Sequence, residues 1–266
     1  MGIFAVFGIV HPAKSHRSMG EHNVDSLSDE RRLRSFTKAI LADVKALERM
    51  LDSDMFEKGV RRIGAEQEMF LVDLAGRPVD SAVQMMARLD NPSFTHELGL
   101  FNLEANLQPE AYSGGCLRKL EQELLKLLDL ARSAAGEEGC KIILTGILPT
   151  LRQSDLSLSS MTPMPRYRAL NQAMVRLCGG QFRFRMKGID EFDMTHDNVM
   201  LEACNASFQV HFQVEPHEFA PLYNIAQAIT GPVLAVAVNS PMILGQRLWA
   251  ESRVALFQQS VDSRSE

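Results

Sequence analysis

Three stretches of the chain alternate apolar and polar side chains with a period of two, the pattern of a strand with one oily face and one polar face. In Ile63-Gly64-Ala65-Glu66-Gln67-Glu68-Met69-Phe70-Leu71 the alternation puts Glu66 and Glu68 on the same face, about 6–7 Å apart along the strand. Further on, Phe101, Leu103, Ala105 and Leu107 alternate with Asn102, Glu104, Asn106 and Gln108, and Phe208, Val210, Phe212 and Val214 alternate with Ser207, Gln209, His211 and Gln213. Between and around these strands the spacing is helical. Ser28, Asp29 and Glu30 open a helix whose Leu33, Phe36, Ile40, Val44, Leu47 and Leu51 form a stripe that calls for a surface to pack on. A turn at Gly76-Arg77-Pro78 leads into a helix over residues 79–89. Gly114-Gly115 opens a long helix with a stripe of Leu117, Leu120, Leu124, Leu127, Leu128 and Ala131, ending near Gly136.

The second half reads as a buried strand over residues 142–147, a long Ser/Pro/Met-rich loop over residues 151–165, and a helix over residues 166–177. Phe182, Phe184 and Met186 alternate with Arg183, Arg185 and Lys187, a basic face that either meets phosphate or is simply wet, wetting being the commoner case. A helix over residues 216–230, an apolar stretch over 232–238, the turn Asn239-Ser240-Pro241 and a last helix holding Arg253 complete the chain. Strands and helices mixed without regular alternation predict an α+β fold. Residues 1–58 form a lead-in with one amphipathic helix, and residues 59–266 form the main domain.

Composition narrows the function. A chain of 266 residues, 45% hydrophobic, can bury a sizeable core. Its 28 basic and 33 acidic residues give a net charge of -5, with no overall positive field for nucleic acid. The early apolar run over residues 3–10 is too short to span a bilayer, so the expectation is a cytoplasmic protein with no membrane partner. Cys116, Cys140, Cys178 and Cys204 form no Cys-x-x-Cys pair, which argues for reduced structural thiols and against a zinc knuckle. No Gly-x-x-x-x-Gly-Lys loop, Gly-x-Gly-x-x-Gly turn or Gly-x-Ser-x-Gly elbow occurs.

The polar faces carry the candidate chemistry. Antiparallel sheets commonly wet one face, and an alternating strand is more often half solvated than catalytic. Solvated faces mix Lys, Arg and Thr with Glu, however, whereas these rows hold carboxylate, amide, hydroxyl and imidazole, the groups that ligate hard cations and hold polar substrates. Two carboxylates as close as Glu66 and Glu68 repel unless a cation lies between them.

The runs Ile63-Gly64-Ala65-Glu66-Gln67-Glu68-Met69-Phe70-Leu71-Val72-Asp73, Asn102-Leu103-Glu104-Ala105-Asn106, Phe208-Gln209-Val210-His211, Ala237-Val238-Asn239-Ser240-Pro241 and Glu251-Ser252-Arg253 resemble, in that order, the type 2 glutamate-cysteine ligase family, carboxylate-amine ligases of the glutamine synthetase superfamily. The resemblance covers about residues 59–266. It implies a curved, mostly antiparallel sheet with packed helices, whose inner face binds ATP, Mg2+ and an amino acid. It also implies an ATP-dependent ligase that forms an amide from an amino acid and an amine through an acyl phosphate. Carried over by position, Glu66, Glu68 and Glu104 become metal ligands and His211 a further ligand or nucleotide contact, with Mn2+ a substitute because imidazole suits magnesium poorly. Glu97 joins them if the strand breaks near Gly99. Gln209, Asn239 and Ser240 would line the substrate or nucleotide pocket, and Arg253 would meet a substrate carboxylate or the transferring phosphoryl group.

Members of the family continue into a later strand with another metal-binding glutamate and a phosphate-facing arginine, and this chain stops at Glu266. The resemblance therefore implies a fold incomplete at the C-terminus, either a fragment of a longer ligase or a shortened member. The alternative function is a noncatalytic homologue that binds nucleotide or a partner; a metal-dependent hydrolase is a weaker third. An incomplete sheet would also expose an edge that invites homo-oligomer formation.

Overall fold

A computed structural model describes residues 30–261; the helix start at Ser28 and Asp29 and the early apolar run over residues 3–10 lie outside them. Among the described residues the centre of the fold is β1 (Arg62–Val72), the longest strand, which is paired on both edges. On one edge lie β3 (Asn102–Asn106) and β4 (Glu110–Ala111), with β2 (Phe94–His96) outside β3. On the other lie β5 (Lys141–Ile143) and β8 (Phe208–Phe212). Every pairing is antiparallel, so the architecture is mixed helix and antiparallel sheet.

The register decides which side chains share a face. Glu66 stands opposite Asn106 and Glu68 opposite Glu104 on β3, while Glu66 stands opposite Gln209 and Gly64 opposite His211 on β8. With a side-chain period of two, Ile63, Ala65, Met69 and Leu71 then share the opposite face with Leu103, Ala105 and Phe94. That face is covered by α2 (Ala82–Leu89) and α3 (Cys116–Glu137). The Leu120, Leu127, Leu128, Ala131 and Ala135 stripe of α3 is buried there, and its Lys and Glu positions face water. Fully burying each of these leucines stabilises by about 1.5–3 kcal/mol. Leu117, expected in the stripe, is exposed at the first turn. The helix ends at Gly139, whose φ of +70° a side chain would resist.

The polar row on β1 stops at Glu68 because Phe70 and Val72 on the same face enter a second core. That core also takes Phe182, Phe184 and Met186 of β6 (Phe182–Lys187), Phe192 of β7 (Glu191–His196), and Val199, Met200, Leu201, Ala203 and Cys204 of a 3-10 turn. The alternate residues Arg183 and Arg185 of β6 are exposed and paired with Asp193 across the β6–β7 hairpin, so this basic face is solvated. The hairpin partner β7 is absent from the sequence reading, although Phe192 and Met194 alternate with Glu191, Asp193 and Thr195. The long loop over residues 151–165 holds two short 3-10 turns and leads into α4 (Pro165–Leu177).

Several expectations are corrected. The strand expected over residues 142–147 is only Lys141–Ile143 and half exposed, since the chain turns off at Gly146 to bond Asn239 O. The helix and apolar stretch expected over residues 216–238 are one helix, α5 (Phe219–Val236), which accommodates Pro232. By length and composition Pro216–Val236 is apolar enough to cross a membrane, where the sequence is expected to hold no later run that usefully exceeds residues 3–10. A short β9 (Met242–Ile243) and β10 (Gln246–Arg247) hairpin precedes α6 (Arg253–Val261). Among the described residues nothing buries the stripe of the first helix, α1 (Glu30–Asp52): Leu33, Phe36, Ile40, Val44, Leu47 and Leu51 are 43–51% exposed.

Gly99 sits where backbone and side chains crowd. A methyl group there would be driven into Asn102 Oδ1 and lie 3.2 Å from both Phe101 and Ala203. Gly99→Ala is expected to lower unfolding free energy by about 1–3 kcal/mol in urea titration; unchanged stability would show that the turn has room the structure denies it.

Candidate functional site

Three acidic side chains from three segments meet on the polar face. Single carboxylate oxygens of Glu68 (β1), Glu97 (just past β2) and Glu104 (β3) all lie within 4.8 Å of one another. Glu68 and Glu104 meet because the β1–β3 register sets them directly opposite. Glu97 joins because the chain leaves strand geometry after His96 and turns back at Gly99 and Leu100 to enter β3, so Glu97 and Glu104 do not lie on one unbroken strand. The loop over residues 151–165 clamps this turn. Leu100 N donates to Ser160 O, Thr162 N donates to Leu98 O, and the Thr162 hydroxyl donates to Glu97 O at 2.6 Å. Tyr167 of α4 donates its hydroxyl to His96 O at 2.9 Å.

Glu68 and Glu104 are held by neutral donors, while the Glu97 carboxyl hydrogen-bonds to Glu104. Glu68 accepts from the backbone N–H of Ser207 at 2.7 Å and from Gln209 Nε2 at 2.9 Å. Glu104 accepts from the Thr95 hydroxyl and from Asn106 Nδ2, both at 2.8 Å. Burial first, then the charges of Glu104 and Glu202, together push the Glu68 carboxyl up to about 7 against the lowering effect of its Ser207 and Gln209 hydrogen bonds. Glu97 is raised well above the ordinary carboxylate range, first by burial and then by Glu104, Glu68 and Glu202. Glu202, from the 3-10 turn Val199–Cys204, is raised to about 7 by burial alone. No lysine or arginine contributes to any of these shifts. The site thus concentrates negative charge in a poorly hydrated hollow without a counter-charge of its own.

The other expected residues fall into two further groups. His211 Nε2 lies 3.4 Å from Glu66 Oε2, one step along the strands from the three-glutamate cluster, but makes no hydrogen bond there and is left buried without a partner. Gln209 bridges the rows by bonding Glu68. Arg253, Asn239 and Ser240 gather instead around Glu251. Arg253 Nε pairs with that carboxylate, Asn239 N donates to it at 2.9 Å and the Ser240 hydroxyl at 3.1 Å. Arg253 also donates from Nη1 to Ala206 O at 2.8 Å. Ala206 O and the Ser207 N–H that binds Glu68 belong to the same peptide group, so Arg253 reaches the acidic cluster through that peptide. Asn239 and Arg253 also line a cavity of about 190 Å3 with Gln67 and Ser207.

Sequence reasoning missed Thr95, Glu202 and Glu251. Thr95 lies on a three-residue strand too short to show a period. Glu202 follows no strand alternation, although its place as the one acid inside Val199-Met200-Leu201-Glu202-Ala203-Cys204 is a legible sign of a buried charge. Glu251 stands in the motif Glu251-Ser252-Arg253, where spacing alone assigns it no partner.

The donor set suits a hard divalent cation. Carboxylate oxygens converging from separate segments, oriented by amide and hydroxyl donors behind them, are the ligands Mg2+ and Mn2+ take. A model of the Glutamate-cysteine ligase family 2 matches residues 62–265, and so covers β1 through α6 and every site residue named above. The chain is also 32% identical over 126 residues to a Frankia alni protein named "Putative glutamate--cysteine ligase 2-3". That match takes in 45% of this chain and 14% of the other protein. On the breadth of the family match, the chain belongs to glutamate-cysteine ligase family 2.

Proposed function

We propose that this chain is a carboxylate-amine ligase that uses ATP to activate the carboxylate of a glutamate-like amino acid and joins it to an amine. The observation that carries the reading is the meeting of Glu68, Glu97 and Glu104 within 4.8 Å, with no basic group offsetting them. Those three would hold Mg2+ or Mn2+, with Glu202 beside them. A bound divalent cation supplies charge neutralisation for a triphosphate and for the phosphoryl group in transfer.

In the reaction proposed, a substrate carboxylate oxygen attacks the γ-phosphorus and ADP leaves. The amine nitrogen then attacks the acyl carbon of the mixed anhydride, phosphate leaves, and the amine loses a proton. The protein's own contribution is orientation. Ser207 N–H and Gln209 fix the Glu68 carboxylate, Thr95 and Asn106 fix Glu104, and the loop over residues 151–165 fixes the backbone of Glu97. Arg253 acts at one remove, holding the Ala206–Ser207 peptide while Glu251 holds Arg253. Glu66 and His211 would extend the polar wall beyond the three ligands.

A screen of amino acids against amines for ADP release is the direct test. ADP is expected only when an acid, an amine, ATP and Mg2+ are all present. Magnesium-nucleotide binding without turnover would replace the ligase with a binding protein, and phosphate release without an amine would replace it with a hydrolase. Glu68→Gln is expected to lower the rate by about 100-fold or more, since metal charge stabilisation is worth several kcal/mol. The same variant should raise the melting temperature of the metal-free protein, because it removes one of the repelling charges. Retained activity in Glu68→Gln would end the metal assignment.

The raised carboxyls also set the pH dependence. The folded protein keeps protons on Glu68 and Glu202 up to about 7 that the unfolded chain sheds near 4.5. Metal-free stability from these groups is therefore fully present below the unfolded value and is lost as pH rises through about 7. Thermal melts without metal should show a falling melting temperature between pH 5 and pH 8, with Mg2+ or Mn2+ restoring more at pH 8 than at pH 5. A melting temperature that is flat or rises over that range, or a metal effect larger at pH 5, would contradict the assignment.

A further inference from the structure

The hairpin of β6 and β7 leaves one strand edge open, and the hydrogen bonds on its other side fix which groups that edge presents. Arg185 N donates to Gln259 Oε1 of α6 at 2.8 Å, and Gln259 Nε2 donates to Arg185 O at 3.2 Å. Both backbone groups of Arg185 therefore point away from β7. Asp193 stands opposite Arg185, and in an antiparallel ladder both members of such a pair turn their N–H and C=O outward. By the period of two, Thr195 does the same. Among the described residues β7 has no strand partner besides β6, so these groups form an edge with donors and acceptors to offer.

That edge is one wall of a groove. Residues 191–194 line a cavity of about 610 Å3, and residues 195–198 line one of about 660 Å3. A strand that turned only a face to these spaces would contribute every second residue, so the unbroken run over 191–198 means that its edge is turned to them. The other wall is the chain over residues 149–158, and Gln153 lines both cavities and joins them. Six residues of β7 give the groove a length of about 20 Å. It shares no residue with the acidic cluster.

One end of the groove carries positive charge. Arg77 and Arg152 both line the first cavity, and the Thr150 hydroxyl donates to Gly76 O, which ties together the two stretches that bear them. The carboxylates nearest in sequence are taken up by backbone: Asp73 accepts from Arg77 N at 2.9 Å and Asp155 from Arg152 N at 2.8 Å. No carboxylate pairs with either guanidinium among the described residues. Asp193 is already neutralised by Arg183 and Arg185 on the wet face of the hairpin, the face that Glu191 shares. We propose that this groove binds an extended acidic segment of a partner protein, which adds a strand to the β7 edge and sets its carboxylates against Arg77 and Arg152. A second copy of the chain is a poorer occupant. Pairing β7 with itself would bring two acidic strands together, Glu191 and Asp193 on each, and leave both arginines unused.

The test titrates the full chain into a fluorescein-labelled hexapeptide that alternates Glu and Thr, read by fluorescence anisotropy. Saturable binding is expected, about 10-fold or more tighter than for a hexapeptide that alternates Lys and Thr. The double variant Arg77→Ala/Arg152→Ala should weaken the acidic peptide about 10-fold or more, with wild-type stability in urea because both side chains are exposed. Thr195→Pro removes only an outward N–H, and it should weaken binding to a similar extent. Methylating the backbone nitrogens of the peptide should do the same with the protein unchanged. No binding, equal binding of the Lys peptide, or binding indifferent to the arginines or to backbone methylation would overturn the proposal. Complete displacement by inorganic phosphate at about 1 mM would overturn it in favour of a small-anion site. A chain dimer in sedimentation that Thr195→Pro dissolves would overturn it in favour of a second copy.

Discussion

Like charges set face to face in a poorly hydrated hollow are the constraint on which the rest of the site depends. Glu68 and Glu104 oppose each other across the β1–β3 ladder, an arrangement that by itself weakens a sheet. Glu97 and Glu202 add to the repulsion instead of relieving it. The fold tolerates this because β1 is paired on both edges and its other face is sealed by α2 and α3. Elsewhere in the chain acids are neutralised by arginines: Asp190 by Arg247, Asp193 by Arg183 and Arg185, Glu218 by Arg61. Only within this hollow do several acids crowd together with neutral donors alone, among the described residues. A divalent cation is the partner of the right charge and hardness.

The surrounding structure is arranged to keep those oxygens in place. Peptide groups do much of this: Ser207 N–H holds Glu68, and the carbonyl of the same peptide is taken by Arg253. The guanidinium is in turn locked by Glu251, which also ties down Asn239 and Ser240. A methyl group on Gly146 would meet Asn239 O at 2.9 Å and the Arg253 guanidinium at 3.0 Å, so the glycine is needed for that close approach. The motif Ala237-Val238-Asn239-Ser240-Pro241 and the motif Glu251-Ser252-Arg253 therefore work as one unit behind the acidic cluster.

Much of this was legible in the sequence. Strict period-two alternation located β1, β3 and β8 and assigned Glu66, Glu68, Glu104, Gln209 and His211 to one face, because strand geometry leaves side chains only two directions. What stayed hidden depends on contacts between distant segments. Alternation cannot say that Glu97 folds back at Gly99 to join Glu104, nor that Glu202, on a turn with no period, faces the same hollow. It could not separate Glu66, which stands beside His211, from Glu68, which joins the cluster, since that depends on register between strands. Helical periodicity located α1 and called for a surface under its stripe, which the described residues do not supply.

The central claim is that the clustered carboxyls bind a divalent cation as charged ligands. Calorimetric titration of Mn2+ into the metal-free protein near pH 7, repeated in two buffers of different ionisation enthalpy, measures the protons exchanged on binding. The account predicts saturable binding that releases protons to the buffer, because carboxyls with values near 7 must ionise to ligate. Binding with no proton release, or no binding at all, would contradict it.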